Sequence, residues 1–166
     1  MHNKVITLNN ISKSYYQADK EISVLKDINF EVGAGEIVSI TGPSGSGKTT
    51  LLNIIALIDS LDLGKLNVFG EDLSNLSEKE KSIFRKNNYG FVYQYNNLFD
   101  DFNALENVAL PLILNGDNKK DAYDKSENIL SKFGLFDRKA HFPNALSGGE
   151  QQRVAIARAI VNKPRI

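Results

Sequence analysis

The segment Gly42-Pro43-Ser44-Gly45-Ser46-Gly47-Lys48-Thr49 limits what this chain can fold into more than any other, because it matches G-x-x-x-x-G-K-[ST] at every fixed position. Its flanks have the form that such a loop needs. Ile37-Val38-Ser39-Ile40 reads as a short buried strand, and Thr50-Leu51-Leu52-Asn53-Ile54-Ile55-Ala56-Leu57-Ile58 reads as a helix. A strand, a glycine loop and a helix N-terminus together aim several backbone N–H groups at one point. The helix dipole adds partial positive charge there. Gly42, Gly45 and Gly47 permit a close approach that a Cβ blocks. Lys48 is placed for β- and γ-phosphates, and the Thr49 hydroxyl for Mg2+. The same residues in a plain Gly/Ser surface turn would bind nothing, and the flanking elements separate the two readings. The expected ligand is a nucleoside triphosphate with Mg2+.

Length and charge narrow the context. A chain of 166 residues is long enough for one domain with a real core. Twenty basic and twenty acidic side chains cancel, so no overall charge favours nucleic acid, and no direct nucleic-acid partner is expected. Cysteine is absent, which removes disulfide and thiolate chemistry. The start, Met1-His2-Asn3-Lys4, leads into a strand pattern and not a signal segment. The apolar runs are too short to span a bilayer, so any membrane would be reached through a partner.

Patterning gives an expected order of elements. A first strand covers Val5-Ile6-Thr7-Leu8 and Ile11, a loop covers residues 17–21, and a second strand runs from Ile22 to Val32 with a bulge near Lys26-Asp27. A short strand spans Lys65 to Phe69. Ser77 and Glu80 have capping-box spacing for a helix to about Lys86, and Tyr89 to Tyr93 reads as a strand ending at Gln94. Asn103 and Glu106 open a further helix that Pro111 should end or kink. Residues 119–133 form a helix stopped by Gly134, and a last helix runs from Ser147 to about Asn162.

That last helix opens with Leu146-Ser147-Gly148-Gly149-Glu150, followed by Gln151-Gln152-Arg153. Ser147 and Glu150 form a capping box, while the two glycines cost helix stability and leave bare N–H groups. Taken alone, the segment is either a helix cap or an anion site. With a phosphate loop upstream it resembles the signature motif of ABC ATPases, and the resemblance covers nearly the whole chain. It implies that Tyr15, or its neighbour Tyr16, stacks on adenine. It implies that Pro43, Ser44, Ser46 and Thr50 join the loop glycines, Lys48 and Thr49 around ATP. Gln94 would contact Mg2+ and the attacking water, with Lys48 as its catalytic companion. Ser147, Gly148, Gly149 and Glu150 would meet the nucleotide of a second, head-to-tail subunit.

The run Phe91-Val92-Tyr93-Gln94, Leu98 and Phe102-Asn103-Ala104-Leu105-Glu106-Asn107-Val108-Ala109-Leu110-Pro111-Leu112 is most similar to the group that includes lipoprotein-releasing, macrolide-export and cell-division ATPases. This implies a peripheral protein on the cytoplasmic face of a bacterial inner membrane, under transmembrane permease subunits. Its implied work is ATP-driven release of lipoproteins, with export of another cargo or an inert nucleotide-binding piece as alternatives. A small-molecule kinase would not need Leu146 to Glu150. A ribosome-acting relative usually carries two cassettes, and a chromosome-maintenance ATPase separates its motifs by a long coiled coil.

The expected fold class is α/β: a P-loop NTPase (RecA-like) core with an added antiparallel β layer and a helical subdomain, its C-terminal strands missing. Residues 1–94 would form the core with its β layer, 95–162 the helical subdomain, and 163–166 the start of a Walker B region. The family pattern also demands a Walker B aspartate and glutamate and a switch histidine after that point. Neither His2 nor His141 stands in such a context, so the chain alone is expected to be inactive.

Overall fold

The computed structural model describes residues 4–166, so the start of the chain and His2 lie outside the described residues. The protein divides into two compact units, one reaching Ser82 and the other spanning Ile83–Ile166. The fold is mixed α/β, with one antiparallel sheet and five α-helices among the described residues.

The first unit is built on a long hairpin. Strand β1 (Lys4–Gln17) pairs antiparallel with β2 (Lys20–Gly33), and β3 (Leu63–Val68) and the short β4 (Glu71–Asp72) complete the order β2-β1-β3-β4. The polar stretch 17–21 is shorter as a loop than expected. Gln17 pairs with Lys20, and Ala18 turns the chain at φ +52°. The expected bulge is present: the register slips between Ile11↔Ile28 and Lys13↔Leu25, and Asp27 sits at φ +48°. Ile6, Leu8, Ile11, Leu66 and Val68 supply the sheet's buried side chains.

Helix α1 (Lys48–Ile55) follows the phosphate loop and stops earlier than its apolar pattern suggests. Leu57 takes a left-handed conformation at φ +58°. Its N–H reaches the Ile54 carbonyl at 3.0 Å, and the Ile58 N–H reaches that of Asn53 at 2.8 Å. This is a Schellman ending with leucine where glycine is usual. Leu57 is buried, and that burial offsets the cost of its backbone.

Two expected strands are not strands. Ile37 to Ile40 lacks a ladder, and Ile37 is fully exposed. Tyr89 to Tyr93 carries a single rung: the Ile166 N–H donates to the Asn88 carbonyl at 3.0 Å, and the Gly90 N–H to the Ile166 carbonyl at 2.8 Å. Apolar β-branched composition favours an extended chain, but a strand is defined by pairing, and no run of partners exists among the described residues. Gly90 has its own constraint, since a Cβ there would lie 2.5 Å from the Ala159 carbonyl oxygen.

The second unit is helical. Helix α2 (Glu78–Asn88), within which the division falls, leads to α3 (Ala104–Leu114), α4 (Lys119–Lys132) and α5 (Gly148–Ile160). Val108, Ala109, Leu112, Ala122, Leu130, Leu135, Val154 and Ala157 form its core. Helix α4 ends as expected at Gly134, with Leu135 and Leu130 meeting in that core. Pro111 does not end α3, which runs three residues past it. The missing N–H costs one bond to the Asn107 carbonyl, a single rung near the helix end.

Asn107 organises the loop ahead of α3. It is fully buried, its Oδ1 accepts the Phe99 N–H at 2.8 Å, and its Nδ2 faces the carbonyls of Phe99, Phe102 and Asn103 at 2.8–3.1 Å. Asn107→Leu keeps the volume and strands these backbone groups. It is expected to lower unfolding free energy by about 3 kcal/mol or more in urea titrations; a loss below about 1 kcal/mol would contradict the assignment.

Candidate functional site

The phosphate loop and its helix belong to the first unit. Gly42, Pro43, Ser44, Gly45 and Ser46 are exposed, and the Ser46 N–H closes a turn on the Pro43 carbonyl at 3.3 Å. Gly47 is the N-cap of α1 at φ +86°. A Cβ on it would meet Leu25 Cδ2 at 2.9 Å and the Val24 carbonyl at 3.1 Å, so the loop lies directly on β2. Lys48, Thr49 and Thr50 form the first helical turn. The Lys48 ammonium bends back to the Pro43 carbonyl at 2.7 Å, which keeps a cation over the loop.

The start of α1 has no side-chain cap and no acidic residue in its first turn. Every other α-helix has one: Ser77 for α2, Asn103 for α3, Asn118 for α4 and Ser147 for α5. Among the described residues the α-helix that follows the glycine loop is the one α-helix without a side-chain cap, so its first-turn N–H groups have no side-chain partner. An anion with several oxygens fits this cradle. The residues also fit Mg2+, because the Thr49 hydroxyl offers one hard oxygen and Mg2+ takes most of its ligands from phosphates and water. No cluster of three or more His, Asp or Glu side chains stands ready to hold a metal among the described residues.

Tyr15 lies at the far end of β1. Its hydroxyl donates to the Asp59 carboxylate and lies near the Thr50 hydroxyl, which brings its ring beside the first turn of α1. The bond to Asp59, and then burial, raise the phenol pKa. Lys13 lies over the ring, 5.3 Å from its centroid. Neighbouring Tyr16 takes the opposite face of the strand and is largely exposed. Lys13 is 8% exposed and pairs with Asp62 at 2.8 Å and Asp59 at 3.8 Å. Burial works to lower its pKa, but the bond to Asp62 and the charge of Asp59 outweigh that and raise it. The Asp62 carboxyl is held below its usual range, first by Lys13 and then by the Ser14 N–H. Composition could not reveal this cluster, because Asp59 and Asp62 are scattered loop residues until α1 ends at Leu57 and turns them toward β1.

The second unit carries the other motif. Ser147 caps α5 through a complete capping box: its Oγ accepts the Glu150 N–H, and Glu150 Oε2 accepts the Ser147 N–H at 2.8 Å. Arg138 Nε adds an ion pair to Glu150 at 3.1 Å. A Cβ on Gly148 would meet nothing, and one on Gly149 only the Arg153 guanidinium at 3.8 Å. This unit's own packing therefore does not require glycine at either place. Gln94 stands in an exposed turn. The loop that follows is tied to α5, since Arg158 Nη1 donates to the Asn97 carbonyl at 2.6 Å and Nη2 to that of Asn96 at 2.7 Å. His141 is a loop residue 3.5 Å from the Arg138 guanidinium.

Comparisons with known proteins agree on a family. The model of the ABC transporter family matches residues 25–166. The lipoprotein-releasing system ATP-binding protein LolD of Bacteroides thetaiotaomicron is 48% identical over 98% of this chain and 72% of its own length. The same-named protein of Rickettsia bellii is 45% identical over 100% of this chain and 73% of its own. An ABC transporter ATP-binding protein of Bacillus subtilis, YknY, is 46% identical over 98% of this chain and 70% of its own. Among solved structures, the dimeric ATP-binding cassette MJ0796 bound to ADP and Pi superposes with a TM-score of 0.88. It is 40% identical and covers 96% of this chain and 70% of that one.

Acid should weaken the α5 cap. The Ser147 N–H, the Ser147 hydroxyl and Arg138 draw the Glu150 pKa from 4.5 down to about 2. A depressed pKa stabilises the folded state above pH 4.5, and that stabilisation disappears as pH falls toward 2. Thermal melts of wild type and Glu150→Gln should therefore differ at pH 7, with the gap narrowing below pH 4.5 and closing only as pH falls to about 2. A gap that stays constant with pH would exclude the charge as its source.

Proposed function

The chain belongs to the ABC transporter family as an ATP-binding subunit, and on that premise we propose that it couples ATP binding and hydrolysis to the release of lipoproteins from a bacterial inner membrane. The observation that carries the nucleotide part is the uncapped N-terminus of α1 behind the glycine loop, where the other α-helices among the described residues carry a side-chain cap. Lys48 and the N–H groups of Gly47, Lys48 and Thr49 would hold the phosphates, and the Thr49 hydroxyl would offer an oxygen to Mg2+. Tyr15 would stack on adenine. When bound, Mg2+ neutralises phosphate charge and polarises the γ-phosphoryl group.

Ser147 and the Gly148–Gly149 amides would complete the site of a second copy, which makes the nucleotide the link of a head-to-tail dimer. The open space around both glycines supports this, because alanine would make a better helix unless something outside the unit approaches closely. Gln94 and its loop would pass the state of the site to transmembrane permease partners. Among the described residues no helix is long and apolar enough to cross a membrane, which suits a peripheral subunit. Lipoprotein release is favoured by the names of the Bacteroides and Rickettsia relatives. Service to another exporter is the second reading, favoured by the Bacillus relative, whose name specifies no cargo.

Two substitutions test the division of labour. Lys48→Ala is expected to weaken ATP binding at least about 30-fold in titration calorimetry, through loss of a charge-assisted contact. Ser147→Arg should leave ATP binding by the monomer intact while abolishing ATP-dependent dimerisation in size-exclusion chromatography. Loss of monomer binding in Ser147→Arg would instead mean that both motifs serve one intramolecular site.

A further inference from the structure

The loop after α1 is laced to the end of β1 in a way that phosphate binding does not require. The Asp62 N–H donates to the Ser12 carbonyl at 3.0 Å, and Asp62 Oδ2 accepts the Ser14 N–H at 2.7 Å. Asp62 Oδ1 takes the Lys13 ammonium at 2.8 Å. Asp59 stands between these ties and the ring of Tyr15. Its Oδ1 accepts the Ser60 N–H at 2.7 Å and faces Lys13 at 3.8 Å, so the carboxylate cannot swing freely. Its Oδ2 accepts the Tyr15 hydroxyl. The Asp59 N–H is itself anchored to the Asn53 carbonyl at 3.1 Å, so the carboxylate is fixed to the body of α1.

We propose that Asp59 is a positioning residue for the base: by holding the Tyr15 hydroxyl it fixes that ring at a set distance from the phosphate loop, with Lys13 on one face and the base on the other. This rests on the reading of Tyr15 as the adenine platform. Tyr15 is 39% exposed at the end of a hairpin, where a tyrosine without an anchor would sample several rotamers. Stacking on such a ring would incur an ordering cost that a preset ring avoids. The ring and the phosphate cradle belong to different stretches of chain. Asp59 joins them because α1 carries Lys48 at its start and Asp59 just past its end. Asp59 touches neither reacting atoms nor, on this geometry, the nucleotide, so its effect must run through Tyr15.

Calorimetric titration with ATP and with inorganic triphosphate separates the possibilities. Asp59→Ala is expected to weaken ATP about fivefold to tenfold, a part of what base–aromatic stacking contributes, while inorganic triphosphate binds within about twofold of wild type. Asp59→Asn retains an oxygen that accepts the same hydroxyl and should restore ATP binding to within about twofold. Tyr15→Phe removes only the hydroxyl, keeps the ring and the fold, and should reproduce the Asp59→Ala loss. In a Tyr15→Ala background, Asp59→Ala should add nothing. Tyr15→Ala weakening ATP while Asp59→Ala and Tyr15→Phe do not would overturn the role of Asp59 and leave the platform standing. An unchanged ATP affinity in Tyr15→Ala would remove the platform and the proposal together. Equal losses for ATP and triphosphate in Asp59→Ala would make its role general to the fold and also overturn the proposal.

Discussion

The contact on which the first unit depends is the one between Gly47 and β2. The phosphate loop must lie within van der Waals reach of Val24 and Leu25 for α1 to start where it does. A Cβ on this residue would lie 2.9 Å from a leucine methyl and 3.1 Å from the Val24 carbonyl oxygen, and the residue must also adopt φ +86° to turn into the helix. Once α1 starts there, Ile54 and Ile55 are its buried residues, and the turn at Leu57 just past its end returns the chain toward β1. The start of α1 and the position of the turn after it therefore depend on this close approach to β2.

Motifs with a local mechanism were legible in the sequence. The capping boxes at Asn103–Glu106 and Ser147–Glu150, the Gly134 stop and the Asp27 bulge each depend on a few neighbouring residues, and each is present. The two expected strands at 37–40 and 89–93 were not legible, because apolar composition describes a face and not a partner. Pro111 does not end α3, because the cost of a proline depends on where it falls within a helix, and here it falls in the last turn. The candidate site was legible where its residues are consecutive, from Gly42 to Thr50 and from Ser147 to Glu150. Its supports were not. Lys13, Asp59, Asn107 and Arg158 act over separations that no spacing rule covers, and each is informative only once burial and partners are known.

Glycine at 148 and 149 shows how a site can be inferred from what a fold does not need. At Gly47 and Gly90 the surrounding atoms forbid a side chain, so the residue is explained by its own unit. At Gly148 and Gly149 the space is open, and glycine is a weaker helix former than alanine. Two unfavourable residues behind a complete cap are a local inconsistency of the kind that marks function over stability.

Arg158 has a mechanical consequence. Its guanidinium is planar, so the two donors that grip the carbonyls of Asn96 and Asn97 cannot be moved separately. Both asparagines hold left-handed backbone, at φ +50° and +46°, and the loop has little slack in which to stretch. Translation or rotation of α5 past the loop must break both bonds together or carry the loop with it. The turn bearing Gln94 and the helix bearing Ser147 thus share degrees of freedom. They behave as one lever with two ends, and a lysine at 158 would turn a rigid joint into a hinge.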